Sequence, residues 1–301
     1  MTEVNKVLFI INKFAGGGFR PDLEDRILRQ CKQKNIACQI EFTQRPGHAT
    51  TLARQAVEFE VQRVIAIGGD GTLNEVAKGL LHTSIPMGII ARGSGNGLAR
   101  HLGLPLSIPK AIDAIFSNTT LAMDVFTLNG KPSLNVSGIG FDGHIANLFG
   151  GATKRGLSGY TKLAITEFLK FQEFGFEIEM NGQRLKRKAF VLAIANSSQY
   201  GNNACIAPGA SVTDGLLHLT MLKKIPLYRL DVVYNLFTKN IHKSKFAEMH
   251  ETTSLTVHCD NPTPYHVDGE PCGVDTTFDI KVLPAALQLI VPSQTEVSQA
   301  L

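Results

Sequence analysis

Several features that would assign a class at once are scarce or missing in this 301-residue chain. It has five cysteines (Cys31, Cys38, Cys205, Cys259 and Cys272), an odd number with no Cys-x-x-Cys pair. That excludes a disulfide scaffold and fits a reducing compartment. Cys259, His266 and Cys272 match no usual zinc-ligand spacing. No apolar run approaches the ~20 residues that span a bilayer. The opening Met1-Thr2-Glu3-Val4-Asn5-Lys6 lacks a basic segment followed by an apolar core, so a secretory leader is not expected. A formal net charge of +4 is too small to argue for nucleic acid as a partner. There is no internal repeat, low-complexity tract or lipidation signal. Gly16 to Arg20 is not followed by the Gly-Lys-Ser/Thr of a P-loop, and the His-Arg-Asp and Asp-Phe-Gly signatures of protein kinases are absent. With 44% hydrophobic and 19% charged residues, the expectation is a globular, cytoplasmic protein with one or two sizeable cores.

What is present changes character along the chain. Up to about residue 121, short β-rich apolar runs alternate with helical periodicity. The runs are Val7–Ile11, Ile36–Phe42, Val64–Ile67 and Ile85–Ile90, and helices are expected from Pro21, over Ala49–Phe59 and over Ile108–Phe116. Leu73, Val76, Ala77 and Leu80 stand at i, i+3, i+4 and i+7, a core-facing stripe. This alternation predicts a parallel sheet covered on both faces, with ligands beyond the carboxyl ends of its strands. After residue 122 the segments 122–128, 133–139, 174–180, 187–195, 215–222, 253–258, 276–283 and 287–291 read as strands. Helical stretches at Tyr160–Phe174 and Leu227–Phe237 interrupt them. The expected fold class is therefore α/β: an N-terminal parallel-sheet domain over 1–121, then a mostly antiparallel β-sandwich over 122–286. Residues 287–301 are a candidate strand returning to the first domain.

Glycines gather where the predicted strands end. Gly68-Gly69-Asp70-Gly71-Thr72 lies between a strand and a helix, where backbone N–H groups and a helix N-terminus suit an anion, and Thr72 is the expected N-cap. An aspartate among three glycines has no packing role. Arg92-Gly93-Ser94-Gly95-Asn96-Gly97 follows the fourth strand, Asn12 to Gly18 the first, and Thr43 to His48 the second. The three glycine loops should open on one sheet edge. Gly138 to Gly143 fits G-x-G-x-x-G, but without a helix opening inside a βαβ unit it reads as a turn.

At these residues the chain resembles the diacylglycerol kinase/sphingosine kinase family. Gly68 to Val76 (GGDGTLNEV) is similar to the family's central GGDGTxNEV motif, Thr43 to Ala49 to its TxxxGHA segment, and Ala91 to Ala99 to its GSGNxLA form. Gly138 to Asp142, Pro208 to Gly215 and Val267 to Glu270 resemble further family segments in the right order, so the likeness spans about residues 5–292. Related GGDGT loops occur in NAD kinases and phosphofructokinases, and the N-terminal domain is expected to share their architecture. One departure is Asn12-Lys13 where the family usually has Asn-Pro, which removes proline's restraint from the first loop.

The resemblance implies ATP- and Mg²⁺-dependent phosphorylation of a lipid hydroxyl. The residues it assigns to the nucleotide are Asn12, Gly16, Gly17, Arg20, Thr43, Gly47, His48, Gly68, Gly69, Gly71, Thr72, Asn74, Glu75, Gly93, Ser94, Gly95 and Asn96. Asp70, Asp124, Asp214 and Glu270 are candidates for Mg²⁺, directly or through water. Asp214 before Gly215 also suits a plain Asp-Gly turn. Asp268 is the candidate general base with Glu270 ordering metal waters, and Asp70 is the alternative base. In extended chain Asp268 and Glu270 would share one face, whereas an Asp-Gly hairpin turn is the structural alternative. The acceptor lipid is left open among diacylglycerol, a sphingoid base and related alcohols. Transient membrane-surface contact is expected, with basic Arg184–Lys188 as one candidate and a charged edge strand as its plainer reading. The Tyr160–Phe174 stretch is either an acyl-site lining or ordinary core. Homodimer formation is left open. The alternatives are a soluble-substrate kinase of the NAD kinase type and a non-catalytic nucleotide-binding regulator.

Overall fold

The computed structural model describes residues 6–16, 21–59, 61–150 and 166–292. The chain divides into two compact units, Met1–Met123 with Pro284–Leu301, and Asp124–Leu283. No helix among the described residues is long and apolar enough to cross a membrane.

In the first unit β1 (Lys6–Ile11), α1 (Pro21–Gln33), β2 (Ala37–Phe42), α2 (His48–Glu58), β3 (Arg63–Gly68), α3 (Asp70–Leu80) and β4 (Met87–Ala91) alternate, followed by α4 (Gly97–His101) and α5 (Ile108–Ala114). The strands lie in the order β2-β1-β3-β4, all parallel. Val7 to Ile11 and Val64 to Ile67 are buried at every position, as expected of strands covered on both faces. The α3 stripe Leu73, Val76, Ala77 and Leu80 is buried as its spacing predicts. Gly79 lets α3 approach α2, since a Cβ there would stand 2.8 Å from the Thr50 carbonyl oxygen.

The second unit is antiparallel and β-rich. The chain runs through β5 (Thr120–Leu128), β6 (Lys131–Ser133), β7 (Val136–Gly140), α6 (Phe141–Gly150), β8 (Phe174–Met180), β9 (Gln183–Ala189) and β10 (Val191–Ala195). Next come β11 (Gln199–Gly201), β12 (Ala204–Cys205), β13 (Leu217–Leu222), α7 (Leu230–Phe237), β14 (Ala247–Thr252), β15 (Ser254–Val267) and β16 (Glu270–Ile290). Strand order is β14-β13-β10-β7-β15-β16, with the β8–β9 hairpin attached to β15. The last residues of β16 belong to the first unit, where Leu289 pairs in parallel with Met87 of β4. The core of the second unit is built around Phe126, Ile178, Leu192, Leu219, Val257 and Phe278.

Several expectations are corrected. The segment after Gly140 is not a turn: α6 starts at Phe141. It lies outside any βαβ unit, because β7 pairs antiparallel with β10 and β15. Segments read as separate strands at 276–283 and 287–291 belong to the single 21-residue strand β16. Of the helical stretch expected at 160–174, residues 160–165, with Leu163 and Ile165, lie outside the described residues, and 166–170 are helical. Phe168 and Phe171 pack edge-on against Phe141 and Phe190, which is ordinary core. In the strand β9, which pairs only with β8, Arg184 pairs with Glu179 at 2.6 Å, Lys186 with Glu177 at 3.5 Å, and Arg187 with Glu248 at 3.1 Å.

Candidate active site

In the first unit the loops after β1, β3 and β4 touch one another. The Asn12 side-chain amide donates to Thr72 Oγ1 at 3.0 Å, tying the first loop to α3. The Arg92 N–H donates to the Gly68 carbonyl at 2.6 Å. Gly16 takes a positive φ of 62°, and a Cβ on it would collide with the Arg92 carbonyl oxygen. Gly69 and Gly93 face each other so closely that a Cβ on Gly93 would lie 2.9 Å from the Gly69 Cα. Only glycine permits this approach. The Gly93 N–H donates to Asn96 Oδ1 at 2.7 Å, and Gly95's carbonyl accepts from Arg100 Nε at 3.1 Å, which closes the loop and leaves Ser94 exposed at its tip. The helix α3 begins one residue after Gly69, so Gly69 is the N-cap and Thr72 is not, correcting the expectation above. Asp70 and Gly71 form the first turn of α3, where helix geometry leaves N–H groups without an intrahelical acceptor. Asn74 is buried one position before Glu75.

The second-strand loop joins them through Glu75. Its carboxylate accepts from the Gly47 N–H at 2.8 Å and the Ala49 N–H at 3.2 Å, and its carbonyl accepts from Thr50 Oγ1 at 2.8 Å. Gly47 sits at φ 80° as the N-cap of α2 with no side-chain cap of its own. Glu75, one of the nucleotide candidates, caps a neighbouring helix here, the work a carboxylate does well at an N-terminus. His48 Nδ1 accepts from the Gln44 N–H at 3.2 Å, and the Thr43 N–H donates to the Ile11 carbonyl at 2.9 Å. Where proline was expected, the Lys13 ammonium lies 3.7 Å from the centre of the Phe42 ring. This cation–π contact restrains the loop by other means. Gly17 and Arg20 lie outside the described residues.

In the second unit Val267 pairs with Glu270, leaving Asp268-Gly269 as a two-residue hairpin loop with φ of 49° and 84°. Both values are positive, the signature of a type I′ turn. Asp268 and Glu270 thus do not share the face of an extended strand. The Asp268 carboxylate accepts from Ser133 Oγ at 2.6 Å, the Leu134 N–H at 2.8 Å and the Asn135 N–H at 3.0 Å. Its own N–H donates to Ser137 Oγ at 3.3 Å. Glu270 is exposed at the start of β16.

Asp124 is buried, and its Oδ2 accepts from the Gly215 N–H at 2.7 Å. Asp214 Oδ1 accepts from the Leu216 N–H at 2.9 Å, and its Oδ2 stands 3.4 Å from His218 Nε2. Both carboxylates thus anchor the Asp214-Gly215 turn. Among the described residues no three His, Cys, Asp or Glu side chains converge as a metal cage. A cleft of about 1200 Å³ in this unit is lined by charged Lys186, Arg187, Lys223 and Glu248 with Phe176 and Met221, and by none of the candidate nucleotide, metal or base residues.

One cluster, around the buried His266, was not legible in the sequence. His266 Nδ1 accepts from the Gly269 N–H at 2.9 Å, which fixes the proton of the neutral ring on Nε2, 3.4 Å from Asp142 Oδ2. The Tyr200 hydroxyl donates to the same oxygen at 3.1 Å. Asp142 in the first turn of α6 is thereby linked through His266 to the Asp268-Gly269 turn. The Gly-Phe-Asp triplet and the Val-Asp-Gly-Glu segment were the available signals, but nothing in sequence joins them.

Two family profiles match the chain: "Diacylglycerol kinase catalytic domain" over residues 6–128, and "YegS C-terminal NAD kinase beta sandwich-like domain" over residues 136–291. An uncharacterized protein of Synechocystis sp. is 31% identical across 94% of this chain and 69% of its own length. A protein of Chromohalobacter salexigens named "Probable lipid kinase YegS-like" is 30% identical across 84% of this chain and 83% of its own. A crystal structure described as a diacylglycerol kinase from Bacillus anthracis str. Sterne aligns at a TM-score of 0.74 with 23% identity, covering 97% of this chain and 98% of that one. At that identity the match speaks for the fold.

Proposed function

Because the chain belongs to the YegS-like family with a diacylglycerol kinase catalytic domain, we propose that it is an ATP-dependent kinase transferring the γ-phosphoryl group to a lipid hydroxyl. The observation that carries this reading is the mutual contact of the loops after β1, β3 and β4, fixed by the Gly16–Arg92 and Gly69–Gly93 approaches at the start of α3. Phosphoryl transfer is mostly alignment and charge neutralisation. Glycine loops let backbone donors reach phosphate oxygens, and a helix N-terminus adds favourable potential. Asn12 and Thr72 hold the first loop to α3, Asn96 closes the Gly93 loop on itself, and Glu75 holds the Gly47–His48 loop against α3.

Mg²⁺ favours a few carboxylates, with phosphate oxygens and waters completing its shell. Asp70, half-buried in the first turn of α3, is the carboxylate at the end of the β3 glycine loop and fits such a role. When bound, the metal would neutralise charge on the β- and γ-phosphates. Asp124 and Asp214 are engaged in holding the turn at Gly215. Asp268 is the candidate acceptor of the hydroxyl proton, with Asp70 as the alternative. Asp268 also organises residues 133–135, so its substitution changes both the fold and the chemistry.

The test is ADP release from ATP with dispersed diacylglycerol, sphingoid base or NAD as acceptor. Turnover on a lipid acceptor and none on NAD supports the reading. Turnover on NAD alone assigns the protein to soluble-substrate kinases, and ATP binding without turnover on any acceptor makes it a regulator.

A further inference from the structure

The helix α7 presents an apolar stripe to solvent. Leu230, Val233, Tyr234 and Phe237 stand at i, i+3, i+4 and i+7, the spacing that usually faces a core. Here they are 72%, 48%, 68% and 51% exposed, and the preceding Leu227 and Tyr228 are 62% and 81% exposed. The inner side is served by buried Val232 and by Leu236, which packs on the cluster around Phe190 and Ile206. A contiguous patch of this size is unusual on a surface meant only for water.

The charge along this stretch of sequence is predominantly positive, although in space Lys223 and Lys245 share a cleft with Glu173, Glu177 and Glu248, and Lys224 Nζ donates to the Leu169 and Phe171 carbonyls. From Lys223 to Lys245 the cations are Lys223, Lys224, Arg229, Lys239, Lys243 and Lys245, and Asp231 is the one acid in that sequence. Asp231 is taken by Arg229 through two hydrogen bonds of 2.7 Å. In space the Arg229 guanidinium lies 5.0 Å and the Lys245 ammonium 5.7 Å from the Phe246 ring, and the Lys223 N–H donates to the Phe246 carbonyl. Arg229 precedes α7 directly and Lys239 follows it by two residues, so the helix is flanked in sequence by cations at both ends.

We propose that α7 with Leu227 and Tyr228 is a membrane-docking surface for bilayers containing anionic lipid. The helix would lie in the interfacial plane with its apolar stripe among acyl chains, its tyrosines at headgroup level and the lysines toward anionic phosphates. Charge complementarity selects this occupant over a second copy of the chain. A two-fold contact would set the same basic segment against itself, whereas an anionic surface neutralises it. The inference does not depend on the kinase reading, since docking requires no nucleotide and is measured without one.

The experiment is flotation of the full chain with vesicles of phosphatidylcholine and phosphatidylglycerol in equal parts, beside vesicles of phosphatidylcholine alone. Wild type should float with the mixed vesicles and much less with the neutral ones, and added salt should weaken the difference. The double variant Leu230→Ser/Tyr234→Ser should lose at least about tenfold in partition with its circular dichroism unchanged. A second variant, Lys239→Glu/Lys243→Glu, leaves the stripe intact and should abolish the preference for phosphatidylglycerol. The proposal is overturned if wild type partitions equally to both vesicles, or if both variants float as wild type does. It is equally overturned if wild type sediments as a dimer that Leu230→Ser/Tyr234→Ser converts to monomer.

Discussion

Replacing Asp268 by asparagine separates what this carboxylate does for the fold from what it does for chemistry. The turn itself tolerates the change, because asparagine accepts the left-handed conformation that Asp268 adopts at φ 49°. The cost therefore falls on the three hydrogen bonds from Ser133, Leu134 and Asn135. With Oδ1 retained, the Ser133 and Asn135 bonds weaken from charge-assisted to neutral, about 1 kcal/mol each. The new amide group faces the Leu134 N–H donor to donor, which loses that bond and leaves a buried N–H unpaired, costing about 1–3 kcal/mol. Asp268 is half-buried, so water recovers part of this, and the expected total is about 3 kcal/mol. For a unit of this size that lowers Tm by about 6–12 °C. Urea denaturation followed by circular dichroism reads the stability, and initial rates well below the melting transition read kcat. If Asp268 is also the base, kcat falls by a further ~10²–10⁴ with ATP binding retained. A variant within about 0.5 kcal/mol of wild type would refute the hydrogen-bond argument.

The other predictions rest on different contacts. Glu75→Ala removes the cap on α2 and should destabilise by about 2 kcal/mol while raising the ATP Kd, with denaturation and calorimetry as readouts; unchanged values in both would show that the cap is idle. Gly93→Ala drives a Cβ to 2.9 Å from the Gly69 Cα and should cut ATP affinity at least about tenfold, whereas unaltered binding would contradict the close approach. The Arg187 guanidinium beside Glu248 holds that carboxyl below its ordinary value, helped by His250 and opposed by burial. Wild type should thus exceed Arg187→Ala by at most ~1 kcal/mol at neutral pH, and the difference should shrink as pH falls through the depressed Glu248 value; a gap that persists in acid would exclude the ion pair as its source.

The parallel-sheet unit was readable because its strands, covered on both faces, are uninterrupted apolar runs such as Val64–Ile67, and because glycines mark their ends. What stayed hidden depends on contacts between residues far apart in sequence. Glu75 reads as one more polar residue after the glycine loop, and its attachment to Gly47 and Ala49 appears only when α2 and α3 pack. Asp268 reads as half of an acidic pair, yet its partners are Ser133 to Asn135. The strand β14, Ala247–Thr252, mixes charges with its apolar positions and lacks a clean alternation. The periodicity of α7 identifies a helix but not which way its stripe faces, and that orientation is set by Val232 and Leu236 finding the core first.

On the proposed function, nucleotide held by the glycine loops gives its terminal phosphoryl group to a lipid. Incubating the protein with γ-labelled ATP, Mg²⁺ and a lipid extract, then separating organic from aqueous phases, addresses it directly. Label in the organic phase with wild type, and none above background with Asp70→Asn, is the predicted result. Label confined to the aqueous phase across the whole range of lipids would contradict it.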